Sequence, residues 1–539
     1  MGGLTITHTW VEVSNRSLAV RVDAPAHGEA RGVVVLVPPV GRERVSFHRS
    51  VIAAAVACAE ADLMVWTPSL TGEGDSTSAS GFEDLATTWV ADVTAVADVA
   101  SRAAPNLPLT LVGVRLGAAI TSRVEHPAVK SRMDWDPVSG RHYVRAQLAL
   151  RVLTLSNGDF TPPEDTEFIG SALSSRQLDS LRTLCLLPGE QATMIPSDPD
   201  PERNADSHPQ LGRVARAGVE AVVAGAAVSE MHAMSWAPLL STVTSHPGSG
   251  RGVRETFVHV GPHRLVGVLS EPEDGPADPV AVVFTATGSE LREGPAAVWA
   301  DLARRLAEGG VAALRADRGL IGDAVDARLD SATNPYSEQG VADLCAAVDL
   351  MTRRGHEVVA VGLCVGAWLA LRAAAQSSIV ETVAINTLVW ADSDGRAAAG
   401  FDRSLAWSRS GVALRTAVAG RAGGRRPADL VRRAVARARG AVARRPWVRP
   451  ALLAIRYGGL GVGVLVEAAR HGSVTLVHGR EEGQVFRALG GNHAVRMFGV
   501  ESAVHVVDRP GLEHSLFTRW SREAVADVVV RRVDARRRR

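Results

Sequence analysis

Val358-Val359-Ala360-Val361-Gly362-Leu363-Cys364-Val365-Gly366-Ala367-Trp368-Leu369-Ala370-Leu371 joins a short apolar run to a helical stretch through a five-residue Gly-x-Cys-x-Gly turn. The β-branched run reads as a buried strand, and the alanine- and leucine-rich segment after it reads as a helix. A turn this sharp forces its central residue into strained geometry. Its glycines are required because a Cβ there would strike the neighbouring strand and helix. The strain lifts the central side chain to the carboxyl edge of the sheet, where open α/β sheets bind ligands. Cys364 is therefore the candidate nucleophile. The amide of Val365, at the start of the following helix, is positioned to meet an oxyanion.

Working forward from the turn, Val474 to Val477 is an expected strand, and Gly479-Arg480-Glu481-Glu482-Gly483 an expected loop carrying a carboxylate. Ala503 to Val507 is a further strand, followed by Arg509-Pro510-Gly511-Leu512-Glu513-His514-Ser515-Leu516-Phe517. Nucleophile, acid and histidine thus come in the chain order of α/β-hydrolases. In that order His514 takes the proton of Cys364, and Glu482 fixes the imidazole tautomer, with Glu481 as the alternative acid. Paired with an imidazolium, Cys364 is expected as a thiolate well below the free value of about 8.5. His478 and His505 lie in or at the end of strands and read as structural. Working backward, Val280 to Thr285 is the strand whose loop, Thr287-Gly288-Ser289, should supply the second oxyanion donor through Gly288 or Ser289.

The same order of elements occurs earlier in the chain. Val33 to Val37, the helix from about Ser50, Leu63 to Trp66, the turn Gly72-Glu73-Gly74-Asp75-Ser76, the helix from about Phe82 to Ala103 and Leu109 to Val112 lead into Gly113-Val114-Arg115-Leu116-Gly117. Apolar runs alternating with amphipathic helices predict two mostly parallel sheets, each covered by helices on both faces. The fold class is α/β, with two α/β-hydrolase-type domains. The expected division is 1–244 for a degenerate first domain, 245–253 for a Gly/Ser/Pro-rich linker, 254–534 for the domain with the Cys-Glu-His set, and 535–539 for a disordered basic tail. Arg115 stands where the first domain would need a nucleophile, and a guanidinium cannot act as one. It reads either as a binder of a carboxylate or phosphate or as a structural ion pair.

Bulk composition narrows the partners. Lys plus Arg number 59 against 58 Asp plus Glu, so no global field selects nucleic acid, and no nucleic-acid motif accompanies the basic stretches. Cys58, Cys185, Cys345 and Cys364 have no paired spacing, which argues against a disulfide framework or a metal site and fits a reducing compartment. No signal-like N-terminal stretch and no run of 18 apolar residues are present, so the expectation is a cytoplasmic protein without a transmembrane segment. No cofactor is expected. Residues Arg421 to Arg449 hold ten arginines and one acid, Asp429, between the elbow and the acid. This is where a helical cap over the site would fall. It could bind an anionic group of the substrate or a carrier, or be a solvated helix pair.

The first half, through Val37-Pro38-Pro39, Gly72-Glu73-Gly74-Asp75-Ser76, Trp89 with Asp92, Gly113-Val114-Arg115-Leu116-Gly117 and Trp135-Asp136-Pro137-Val138-Ser139-Gly140-Arg141, resembles the second type of exosortase A system-associated hydrolases. The second half resembles the first type of that family through its Gly-Leu-Cys elbow and Glu513-His514-Ser515-Leu516-Phe517. The resemblance implies paired α/β-hydrolase domains with Arg in the first elbow. Arg42-Glu43-Arg44 stands where an acidic pair would be expected after the prolines. Taken together, the sequence predicts a hydrolase acting on an ester or thioester of a small or carrier-bound acyl substrate. An acyltransferase in a polysaccharide or secondary-metabolite pathway and a non-catalytic scaffold are the rival readings.

Overall fold

The fold is described from a computed structural model over residues 3–155, 167–187, 192–195, 213–237, 239–245, 251–274, 278–285, 287–288, 290–319, 321–324, 335–391 and 462–538. The runs of consecutive valines become central strands buried on both faces, as Gly32–Val37 and Val280–Thr285 illustrate. Such strands need helices on both sides of the sheet.

Among the described residues there are two large sheets. The first has seven strands in the spatial order Leu4–Val13, Arg16–Pro25, Leu63–Pro68, Gly32–Val37, Leu109–Val114, Val129–Trp135 and Ala192–Ile195. The second has nine, in the order Thr242–Ser245, Val253–Val260, Leu265–Pro272, Ala312–Ala316, Val280–Thr285, Glu357–Leu363, Ile379–Ile385, Ser473–His478 and Val504–Asp508. Both open with antiparallel strands and continue in parallel. Their registers break at matching places: between Leu109 and Thr110 in one sheet, and between Val358 and Val359 in the other. Both are the mostly parallel, helix-flanked sheets of the α/β-hydrolase class, and two sheets fit two domains.

The core is divided accordingly. One side of the second sheet buries Trp368, Tyr336, Trp390 and Phe486, and the other side buries Phe284, Trp299 and the apolar face of the helix Arg519–Arg537. The first sheet packs against Leu85–Ala103 on one face and Arg42–Glu60 with Arg213–Gly225 on the other.

Two expectations differ from the elements observed. The second sheet begins at Thr242, ahead of the expected linker start at residue 245, because Thr242–Ser245 pairs antiparallel with Val253–Thr256. Residues 246–250 of that linker lie outside the described residues, as does the Arg421–Arg449 segment read as a cap. The tail expected from 535 is instead helical to Arg537. Arg537 pairs with Asp278 at 2.8 Å and Arg536 donates to the Val380 carbonyl, so basic residues at a helix C-terminus meet acceptors and the favourable end of the helix dipole. Among the described residues, no helix is long and apolar enough to cross a membrane.

Candidate active site

The strand Glu357–Leu363 ends at Cys364, and the helix Val365–Ala373 starts on the next residue. Cys364 has φ 53° and ψ −109°, a left-handed conformation that costs a non-glycine residue about 1–2 kcal/mol. A Cβ on Gly362 would lie 2.2 Å from the Gly366 carbonyl oxygen, so glycine is obligatory there. The thiol is half-buried.

Glu482 and His514 come together beneath it. Glu482 Oε1 lies 2.9 Å from His514 Nδ1. Burial alone would depress the His514 imidazole, but the Cys364 charge and hydrogen bond, with those of Glu482, hold it well above the usual imidazole range. Burial pushes the Glu482 carboxyl up, yet the hydrogen bond and charge of His514 leave it below the usual carboxylate range. Glu482 is buried and Glu481 exposed. The two acids sit in the first turn of the helix Arg480–Ala488 and not in a loop, because the Gly479 backbone ends the strand and opens the helix within one residue. A Cβ at Gly479 would meet the Leu512 carbonyl at 2.6 Å and Glu482 Oε2 at 2.7 Å.

Several contributors were not singled out from sequence. Asn386, at the end of Ile379–Ile385 with φ 46°, donates from Nδ2 to the carbonyls of Glu513 and His514, both at 3.0 Å. Its Oδ1 accepts from Gly479 N at 2.9 Å. One side chain thereby ties the acid turn to the histidine loop. Glu513 shapes that loop by accepting from the backbone of Ser515 at 2.7 Å and Thr518 at 3.2 Å. Tyr336 lies near the thiol: burial first, then the Cys364 charge, pushes its hydroxyl well above the ordinary phenol range. Its ring is set edge-on against Trp368, 5.4 Å away. Arg318 is buried near the same thiol and donates to the carbonyls of Pro335, at 2.6 Å, and Gly288; burial draws it down to about 10.

The oxyanion candidates divide. Val365 is the first residue of the helix after the thiol. Gly288 has φ +51° and open space where a Cβ would stand. Ser289 lies outside the described residues. His478 is buried between Trp390 and Phe486, at ring distances of 6.1 and 5.2 Å, and neither of its ring nitrogens hydrogen-bonds Glu482. His505 is on the edge strand Val504–Asp508.

In the first half Arg115 has the same backbone as Cys364, φ 56° and ψ −119°. Of the two readings open for Arg115, its contacts fit the structural ion pair: Nε and Nη2 bond Glu43 at 3.1 and 3.0 Å, and Nη1 bonds Asp136 at 2.9 Å. Two internal carboxylates already occupy the guanidinium. A cleft of about 740 Å³ opens between the two halves, lined in part by Arg44, Glu73, Glu293 and Phe517, and neither Cys364 nor His514 lines it. Among the described residues, no group of His, Cys, Asp and Glu could hold a metal ion.

The chain matches no family model and no curated protein. Among solved structures it is similar to a dienelactone hydrolase from Anabaena variabilis ATCC 29413, at 15% identity and a TM-score of 0.32 over 54% of this chain and 95% of that one. It is also similar to an acetyl xylan esterase from Paenibacillus sp. R4, at 14% identity and a TM-score of 0.33 over 55% and 87%. A third similarity is to an alpha-beta serine hydrolase homologue from Coxiella burnetii, at 10% and 0.27 over 54% and 96%. The class that the sheet order and the elbow define is the α/β-hydrolase fold.

Proposed function

We propose that the chain is a tandem α/β-hydrolase whose second domain, 254–534, cleaves an ester or thioester through a cysteinyl acyl-enzyme, and whose first domain, 1–244, does no chemistry. The observation that carries the reading is His514 held between the buried Glu482, at 2.9 Å, and the Cys364 thiol. His514 accepts the thiol proton and the sulfur attacks the acyl carbonyl, forming a C–S bond. The amides of Val365 and Gly288 meet the oxyanion. The intermediate collapses by breaking the bond to the alkoxide or thiolate leaving group, which takes the proton from His514. Water, deprotonated by His514, then attacks the thioester, breaks the C–S bond and returns the proton to sulfur. Glu482 keeps the imidazole in one tautomer and balances the imidazolium.

The test is to incubate the protein with p-nitrophenyl esters and acyl thioesters of graded chain length and to measure leaving-group release with intact mass. The expected result is turnover, plus an acyl adduct on Cys364 that is absent from Cys364→Ala. Turnover undiminished in Cys364→Ala, or neither turnover nor adduct with any substrate, overturns the reading.

A further inference from the structure

We infer that the first half is a positioning element for the second. Its arginine elbow braces the start of the helix Arg42–Glu60, which together with Asp75 holds the 290–294 segment, and so helps to keep Gly288 where it can serve the acyl carbonyl. The inference rests on the proposed role of Gly288.

The loop's charged residues Glu290, Arg292 and Glu293 are all buried. Buried charges are tolerated only when paired, and each of these has a partner in the first half. Arg42 pairs with Glu290, Arg44 with Glu293, and Asp75 Oδ2 lies 2.8 Å from Arg292 Nε. Arg292 also bonds Asp317, through its backbone at 3.1 Å and its side chain at 2.8 Å. Asp317 precedes Arg318, which grips the Gly288 carbonyl. The loop is thus clamped on one side by the second half's own turn and on the other by the first half.

What fixes Arg42 and Arg44 is the residue between them. Glu43 receives two bonds from Arg115, and a bidentate fork sets orientation as well as distance. Arg115 can deliver that fork only because the elbow projects it from the sheet edge, with its third nitrogen fixed by Asp136. The strained turn that presents a thiol in one half therefore presents a strut in the other. Arg42-Glu43-Arg44, unexplained by the first half alone, becomes a contact element for the second.

The experiment compares wild type with Arg115→Met, Arg115→Lys, Arg44→Met, Glu293→Gln and the Arg44→Met/Glu293→Gln double variant. Three quantities are read: hydrogen exchange of the peptide spanning 287–294, kcat and KM on a p-nitrophenyl ester, and alkylation of Cys364. Arg115→Met and Arg44→Met are expected to speed exchange in that peptide and lower kcat by about 10- to 100-fold, as misplacement by an ångström does. KM and alkylation should hold. Arg115→Lys, which keeps the charge without the fork, should fall between, and the double variant should lose no more than the worse single. Unchanged exchange in 287–294, faster exchange with wild-type kcat, or exchange rising equally through the whole chain overturns the inference. If wild-type protein turns over no ester, the chemical proposal fails by itself, while exchange still decides whether the first half holds this loop.

Discussion

Arg115 and Cys364 stand at equivalent points of two sheets: the Arg115 amide donates to the Trp135 carbonyl and the Cys364 amide to the Ile385 carbonyl, each at 2.9 Å. The next residues of those neighbouring strands also correspond. Asp136 and Asn386 both have φ 46°, and their amides donate onward to Ile195 at 2.9 Å and Val477 at 2.8 Å. One backbone frame therefore carries two sets of side chains. Asp136 binds the arginine of its elbow, whereas Asn386 binds Gly479, which opens the helix carrying Glu482, and the loop that carries His514.

The placement of the acid yields the first prediction. Glu482→Gln keeps the shape but loses the charge and the tautomer control, and kcat/KM on an active ester should fall by about 10²- to 10⁴-fold. Glu481→Gln, altering an exposed side chain, should change it by less than about twofold. Steady-state kinetics of both variants checks this, and equal losses would contradict it.

A second prediction concerns pH. Burial draws the His478 imidazole from its ordinary 6.5 down to about 4. Between those values the unfolded chain binds a proton that the folded chain refuses, so this group lowers stability as pH falls through the window and contributes nothing to the slope above it. His478→Phe removes the contribution. Relative to wild type, the variant should gain on the order of 2 kcal/mol between pH 7 and pH 5, read from urea denaturation at each pH. Parallel stability curves would refute it.

A third follows from Arg315, which is fully buried. Its Nε bonds Asp75 of the first half at 2.9 Å, its Nη1 bonds Ser270 at 2.8 Å and its Nη2 bonds Glu255 at 2.6 Å. Arg315→Met removes the cation shared by two buried carboxylates, leaving Asp75 with Arg292 and Glu255 with Arg304 in an under-neutralised cluster, and should cost about 3–5 kcal/mol. Arg315→Lys, with one point charge for a three-way fork, should recover only part. Denaturation midpoints measure both, and a loss below about 1 kcal/mol in Arg315→Met would contradict the network's importance.

What could be read from sequence was local. Gly362, Cys364 and the periodicities around them determine a strand, a turn and a helix within a dozen residues, and the parallel reading of Gly113 to Gly117 rests on the same signals. His514 and Glu482 were reached through chain order, since each follows a recognisable strand. Arg42, Glu43 and Arg44 could not be read, because their partners Glu290, Arg115 and Glu293 are up to 249 residues away and ion pairs leave no periodicity. Tyr336 and Arg318 were missed for a related reason: both lie in turns, where nothing in the flanking residues marks the thiol as their neighbour. The basic tail was misjudged because a charge run reads the same whether it is solvated or, as here, the last turn of a helix held by Asp278.

Catalysis of the proposed kind requires Cys364 and His514 to behave as one acid–base unit, and the alkylation rate of Cys364 by iodoacetamide between pH 5 and 9 reads that directly. Wild type should label rapidly at pH 6, and His514→Ala should label only as pH approaches the free thiol range near 8.5. Superimposable profiles for the two proteins, both rising only above about pH 8, would contradict the pairing and with it the proposed chemistry.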